Sequence, residues 1–262
     1  FTKTSGGSVV EVGSGGGGGG GPSTGESYVK LKDDTASASN TGNNTYAGSS
    51  AGNALANGAE ENTLYGSNAG LVLSTADRCT IVGSEAGKAV TTANNTTCFG
   101  HGAGEAITTA GSNTCIGRDS GKLITTGCCN TTVGDSTGNH ITTGQSNIII
   151  GRYTNGPSTG SGNTILGANT TVEHTGSNNV AIGYQSSAAH GSNVISIGHY
   201  AEGDSSYGGN LITLGNTSIT RFRIPGLNFD LKDTTATEDY VLTVDADGKC
   251  GWEAAAGGGG GG

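Results

Sequence analysis

The sequence predicts an all-β chain: stacked repeats of about 17 residues forming a β-solenoid or β-roll rod. Three observations predict it. Glycine returns at a nearly fixed step, several other residue columns keep the same register, and apolar residues are too scarce for one large core. Of 262 residues, 51 are glycine, 32% are hydrophobic, 5% are aromatic and none is methionine. Ordinary domains are ~45–50% apolar with ~7% glycine. Charged residues make up only 13%, which argues against a chain kept unfolded by charge and polarity. A repeat protein fits, because each unit buries little and stacking supplies the rest.

The glycine column runs through 48, 66, 83, 100, 117, 134, 151, 167, 183, 198 and 215, in steps of 18, then five of 17, then 16, 16, 15 and 17. A second glycine follows four residues later at Gly52, Gly70, Gly87, Gly104, Gly121 and Gly138. Immediately before the first glycine stand Tyr65, Val82, Phe99, Ile116, Val133, Ile150, Leu166, Ile182, Ile197 and Leu214, with the small Ala47 in the first unit. Seven residues after it stand Leu55, Leu73, Val90, Ile107, Ile124 and Ile141. These two apolar columns are expected to face inward, with Ile116 buried and Lys122 exposed.

Thr, Val and Ile favour extended backbone, and each short run ends at a glycine able to turn with positive φ. Helix is disfavoured, since each interior glycine costs ~1 kcal/mol relative to alanine. At the ~4.8 Å spacing of paired strands, eleven units would span roughly 50 Å. Asn44, Asn62, Asn113, Asn130, Asn147, Asn163 and Asn179 share the position four before the glycine, where stacked amides can bond along a ladder. Cys98 and Cys115 lie two before it, alongside Leu64, Ile81 and Ile149, and read as small hydrophobes of a core column. Two apolar columns are thin for a lone chain, given ~25 cal/mol per Å² buried against ~1–2 kcal/mol of backbone entropy per residue. Association of several copies would cover a second face.

The organisation expected along the chain has five parts. Residues 1–27 hold a strand and a polyglycine run, and 28–40 lead into the repeats. Residues 41–217 form the repeat solenoid, 218–256 a C-terminal β-hairpin module, and 257–262 a second polyglycine segment. The hairpin is expected from Tyr240–Val244, the turn Asp245-Ala246-Asp247-Gly248 and the run to Trp252. The glycine runs read either as flexible linkers or as extended strands packed between chains.

Composition also excludes functions. The net charge is −9, with 12 basic residues spread thinly, so nucleic acid has no electrostatic footprint. No apolar run of about 18 residues is present for a helical membrane span. Gly83-Ser84-Glu85-Ala86-Gly87-Lys88 imitates a phosphate loop, but its spacing is short and Ala89 replaces the required hydroxyl residue. Asp245 to Gly248 imitates a calcium loop, with the glycine too early and Ala256 in place of a bidentate glutamate. The six cysteines lack zinc spacing, and His101, His140, His174, His190 and His199 are scattered. No nucleophile elbow or carboxylate pair stands out. The expectation is therefore no catalytic residue, no cofactor and no metal: a non-enzymatic chain.

The units Asn62-Thr63-Leu64-Tyr65-Gly66-Ser67-Asn68-Ala69-Gly70 and Asn113-Thr114-Cys115-Ile116-Gly117 resemble repeats of bacteriophage tail fibres, notably those of marine cyanophages. Asn179-Val180-Ala181-Ile182-Gly183 is similar to head repeats of trimeric autotransporter adhesins. The run Val241 to Gly248, closed by Trp252, resembles a hairpin near the ends of phage fibre modules. The resemblance covers about residues 41 to 254 and implies a β-rich parallel homotrimer in the tail fibre of a virion. It implies a shaft and host-attachment role, with neighbouring tail or fibre proteins and a host surface receptor as partners. The chain departs from the adhesins in lacking a coiled-coil stalk and membrane anchor, and from complete fibres in lacking a recognisable tip.

A bacterial surface adhesin or extracellular filament subunit is the alternative. A further alternative is ice binding through the threonine pairs Thr91-Thr92, Thr108-Thr109, Thr125-Thr126 and Thr142-Thr143, of which only one member each can face outward. If a host glycan is bound, the place to look is where the register shortens after Gly151. Tyr153, Tyr184 and Tyr200 there offer rings for stacking on sugars.

Overall fold

A computed structural model describes residues 29–30, 43–55, 58–172, 175–188, 191–203, 208–220, 240–244 and 250–254. Contacts divide the chain into two units, residues 1–219 and 220–262. Both polyglycine segments and the expected N-terminal strand before residue 28 lie outside the described residues.

The first unit is a parallel β-solenoid with one three-residue strand per repeat. Its strands are β2 (Thr45–Ala47), β3 (Thr63–Tyr65), β4 (Thr80–Val82), β5 (Thr97–Phe99), β6 (Thr114–Ile116), β7 (Thr131–Val133), β8 (Ile148–Ile150), β9 (Thr164–Leu166) and β11 (Val180–Ile182). The longer β13 (Ser192–Ile197) and β14 (Gly209–Leu214) complete the stack. Each pairs in parallel with the next at equal repeat positions, as in Thr63↔Thr80, Leu64↔Ile81 and Tyr65↔Val82. A short β1 (Val29–Lys30) closes the first edge by pairing antiparallel with β2. In the second unit, β15 (Tyr240–Val244) pairs antiparallel with β16 (Cys250–Ala254), and the expected turn Asp245 to Gly248 lies outside the described residues.

Backbone bonds between rungs run in both directions around each coil. Gly83 N–H donates to Tyr65 C=O of the preceding rung at 2.7 Å, while Gly87 N–H donates to Ala103 C=O of the following rung at 2.9 Å. The corner glycines make this stacking possible. Gly100 has φ +137°, and a Cβ there would run into the carbonyl of Gly117 directly below. Only glycine meets both demands.

The strand alternation corrects one expectation. The inward residues are those two before the glycine: Leu64, Ile81, Cys98, Cys115, Thr132, Ile149 and Ile165 are all buried. The column immediately before the glycine faces outward, with Tyr65 58%, Phe99 54% and Ile116 38% exposed. Neighbouring strand residues point to opposite faces, so both columns could not be inside. Asparagine decides the parity. It lies an even step from the inner column and is itself buried, which turns the intervening threonine and the pre-glycine apolar residue outward. The second expected column is inward: Leu73, Val90, Ile107, Ile124 and Ile141 are fully buried.

Small residues fill the corners of the coil. Ala69, Ala86 and Ala103 follow the first glycine by three residues, and Ala59, Ala76 and Ala93 close the opposite corner. These alanines and the apolar columns make one continuous core cluster.

Candidate functional site

The asparagine ladder forms as expected and is internal. Asn147 N–H donates to Asn130 Oδ1 at 3.0 Å, its side-chain amide donates to the same oxygen and to Gly160 C=O, and its own Oδ1 accepts from Asn163 N–H at 3.0 Å. The pattern continues to Val194 N–H, which donates to Asn179 Oδ1 at 2.8 Å. Four rungs carry another residue there: Cys79, Thr96, Val194 and Leu211. Cys79 takes the position, accepts the backbone role by donating its N–H to Asn62 Oδ1, and directs its thiol to Ala93 C=O. Every amide so engaged is satisfied within the rod, so the ladder is structural.

The threonine pairs divide as alternation requires. Thr91, Thr108 and Thr125 hydroxyls each donate to the carbonyl of the corresponding threonine one rung on. Thr92, Thr109, Thr126 and Thr143 are exposed. One hydroxyl of each pair thus braces the coil and the other faces solvent.

Charged side chains gather into a strip along one edge. Lys88 pairs with Glu85, Lys122 with both Glu105 and Asp119, and Arg118 with Asp119 and Asp135. The Lys88 hydrogen bond holds the Glu85 carboxyl below its ordinary range. Partial burial pushes Asp119 the other way, but Lys122 and Arg118 outweigh it and hold it low. A shallow groove of about 430 Å³ beside this strip has walls of Val72 and Leu123 and a rim of Lys88, Glu105 and Lys122. Its charges are already paired, Lys88 with Glu85 and Lys122 with Glu105. The phosphate-loop lookalike contributes Lys88 to this strip, where its partner is Glu85.

Cysteine chemistry is mostly internal. Cys98 and Cys115 are buried neighbours in successive rungs, and Cys98 is held well above the ordinary thiol range by its bond with Cys115 and by burial. Cys128 and Cys129 lie at a corner with Sγ atoms 3.2 Å apart, Cys129 exposed. Among the described residues no group of three or more His, Cys, Asp or Glu could hold a metal ion. The calcium-loop lookalike at Asp245 to Gly248 lies outside the described residues. No helix of the described residues is long and apolar enough to cross a membrane.

The three expected tyrosines separate. Tyr184 and Tyr200 come together, ring centroids 6.0 Å apart and edge to face. His199, one of five histidines with no shared motif, completes the group: it stacks on Tyr184 at 5.6 Å and meets Tyr200 at 4.2 Å. Repeat register was the missed signal, because Tyr184 and His199 both follow the column glycine directly in adjacent rungs. Tyr153 stands apart with Arg152, whose guanidinium lies 4.3 Å over its ring. Tyr153 and Tyr200 adopt left-handed backbone at φ 52° and 53°, in a column filled elsewhere by Asn68, Glu85, Asp119 and Ser136. A bulky side chain is uncommon in that region. Tyr200 also walls a depression of about 650 Å³ with Glu202, Leu214 and Asn216.

No family model, curated protein or solved structure matches the chain.

Proposed function

We propose that the chain is a structural segment of an extracellular fibre, a phage tail fibre shaft with a part in host attachment, and that it acts by geometry without turnover. One observation carries this reading: the inward-facing columns are spent on stacking one rung on the next. Asparagines, inner threonines and corner glycines all serve inter-rung bonds. Such a chain yields length and stiffness in proportion to its repeat number. The resemblance of the Asn-Thr-x-apolar-Gly units to cyanophage fibre repeats supplies the phage assignment, and the homotrimer with it. A bacterial adhesin or filament subunit would use the same rod.

Immunogold labelling with antibodies against this chain tests the assignment. Label along the tail fibres of virions is the expected result. Label on bacterial surfaces with none on particles would replace the phage reading by the adhesin reading.

The cluster of Tyr184, His199 and Tyr200 supports a second element, contact with a host glycan. Aromatic faces stack on the apolar faces of sugars, and Tyr200 occupies a backbone conformation that costs a tyrosine more than the usual Asn or Ser, a pattern found where function is served. Tyr153, engaged by Arg152, is the weaker contact. Glycan-array binding by the chain, lost in Tyr184→Ala and Tyr200→Ala, is expected. Binding that survives both changes assigns recognition elsewhere.

A further inference from the structure

The outer face of the main sheet presents two side-chain columns. One is the pre-glycine column from Tyr65 to Leu214. The other lies two residues earlier and reads Thr63, Thr80, Thr97, Thr114 and Thr131, then Ile148, Thr164, Val180, Ile195 and Ile212. Neither column contains a charged residue in any strand from β3 to β14. The flanking corner does carry charge, at Arg118, Asp135 and Arg152. A continuous uncharged strip is thus bounded by charge on one side.

Its size exceeds what a lone rod explains. Tyr65, Phe99, Ile150, Leu166, Ile197 and Leu214 are all exposed large hydrophobics of this strip, and Ile212 reaches 65%. At on the order of 80 Å² of open apolar surface per rung, the strip offers on the order of 800 Å², beyond the ~300–600 Å² patch of an ordinary monomer. That is about one partner's share of a standard stable interface. The strip is also periodic, one apolar residue for each strand. A partner matching it along its whole length needs the same rise per rung, and another copy of this chain has it.

The strip is polarised. Toward the N-terminal end one column is apolar and its neighbour is threonine; from Ile148 onward the neighbour becomes Ile or Val in β8, β11, β13 and β14. Inside, the trend reverses, since the inner position passes from Leu64 and Ile81 to Ala181 and Ser196. An antiparallel pairing would set the two-column apolar end against threonine. A parallel, in-register pairing sets like against like.

We infer that this outer sheet face, Tyr65 to Leu214, is the surface on which further copies of the chain associate, parallel and in register, held most strongly from Ile148 to Leu214. The inference deepens the fibre reading and rests on it for the presence of several copies. It assigns the glycan cluster to the corner beside the interface and leaves the charged edge strip free.

Sedimentation velocity on the full chain tests it together with site-specific photocrosslinking. Wild type is expected to sediment as a multimer. Ile182→Lys with Ile197→Lys is expected to release single chains, weakening association by about two orders of magnitude or more, while the circular dichroism of the rod persists. Val82→Lys with Phe99→Lys should weaken it less. A benzoylphenylalanine at Ile182 should crosslink to the Val180–Ile197 region of another copy, and one at Thr126 should give no crosslink between chains. Wild type sedimenting as one chain would overturn self-association and the multimeric part of the fibre reading. A multimer that survives the Ile182 and Ile197 substitutions, or that crosslinks from Thr126, would overturn this face alone. Crosslinks from Ile182 to residues 63–99 would overturn the parallel arrangement.

Discussion

The rungs before Gly151 and those after it solve the same stacking problem with opposite distributions of apolar residues. The earlier rungs repeat at 17 residues and keep their large side chains inside, with Ile81, Val90, Ile107 and Ile124 fully buried. The later rungs shorten to 16 and 15 residues before a last step of 17, and Ala181, Ala188 and Ser196 share the interior with Ile165 and Val194. Their second side also changes from turn to strand: β10 (Thr171–Val172) pairs in parallel with β12 (Ser187–Ala188). The small inner corner passes from alanine to hydroxyl residues already at Ser120 and Thr137, and in the later rungs Thr170 Oγ1 donates to Gly183 C=O at 2.6 Å. A shorter coil encloses a narrower interior, so smaller side chains fill it. The apolar residues it cannot enclose appear on the outer sheet face.

The strongest test of this contrast is a charge placed on either side of one strand. Cys115→Asp puts a carboxylate in the closed interior and is expected to cost about 3–5 kcal/mol, because the charge finds no partner there. Ile116→Asp, one residue on, should change the stability of a single rod by less than ~1 kcal/mol while opposing association. Chemical denaturation of the two variants at low concentration compares them. Equal losses would erase the distinction between the faces.

Asn147→Ala comes next. It strands Asn163 N–H and Gly160 C=O inside the rod, for an expected loss of about 2–4 kcal/mol by thermal or denaturant unfolding. A loss no larger than that of a surface substitution would mean the ladder amides are replaced by water.

A third measurement separates the two regions directly. In chains dissociated by Ile182→Lys with Ile197→Lys, hydrogen exchange should be faster in strands β11 and β13 than in β4 to β6, because local opening follows the apolar area a segment buries. Uniform exchange along the rod would show that the later rungs hold their own without a partner.

The smallest effects belong to the charged edge. Lys122→Ala should cost under ~1 kcal/mol, as exposed pairs do. Glu85 and Asp119 are held below their ordinary range, so their contribution is present above the unfolded carboxylate range and is lost as pH falls through the folded values. The melting temperature should therefore drop slightly on acidification from neutral pH, and the drop should shrink in high salt. A rise on acidification would contradict the pairing.

Repeat length, the all-β class, the asparagine ladder and the core placement of Cys98 and Cys115 were legible from the sequence, because each is a column in one register and stacking converts register directly into contact. The hairpin strands were legible from two short runs flanking a stretch rich in Asp and Gly. Which of two adjacent apolar columns faces inward was not settled by apolar character, since Cys115 and Ile116 are both acceptable in a core. Their parity relative to the buried asparagine carried that information, and the closed coil made it visible. The meeting of Tyr184, His199 and Tyr200 likewise needed the coil, which brings residues a rung apart to within a ring's width. The sequence by itself determined the repeat, its residue columns and the chemistry each column could supply. Only the tertiary structure decided inside from outside, because a strand has two faces and closure of the coil encloses just one of them.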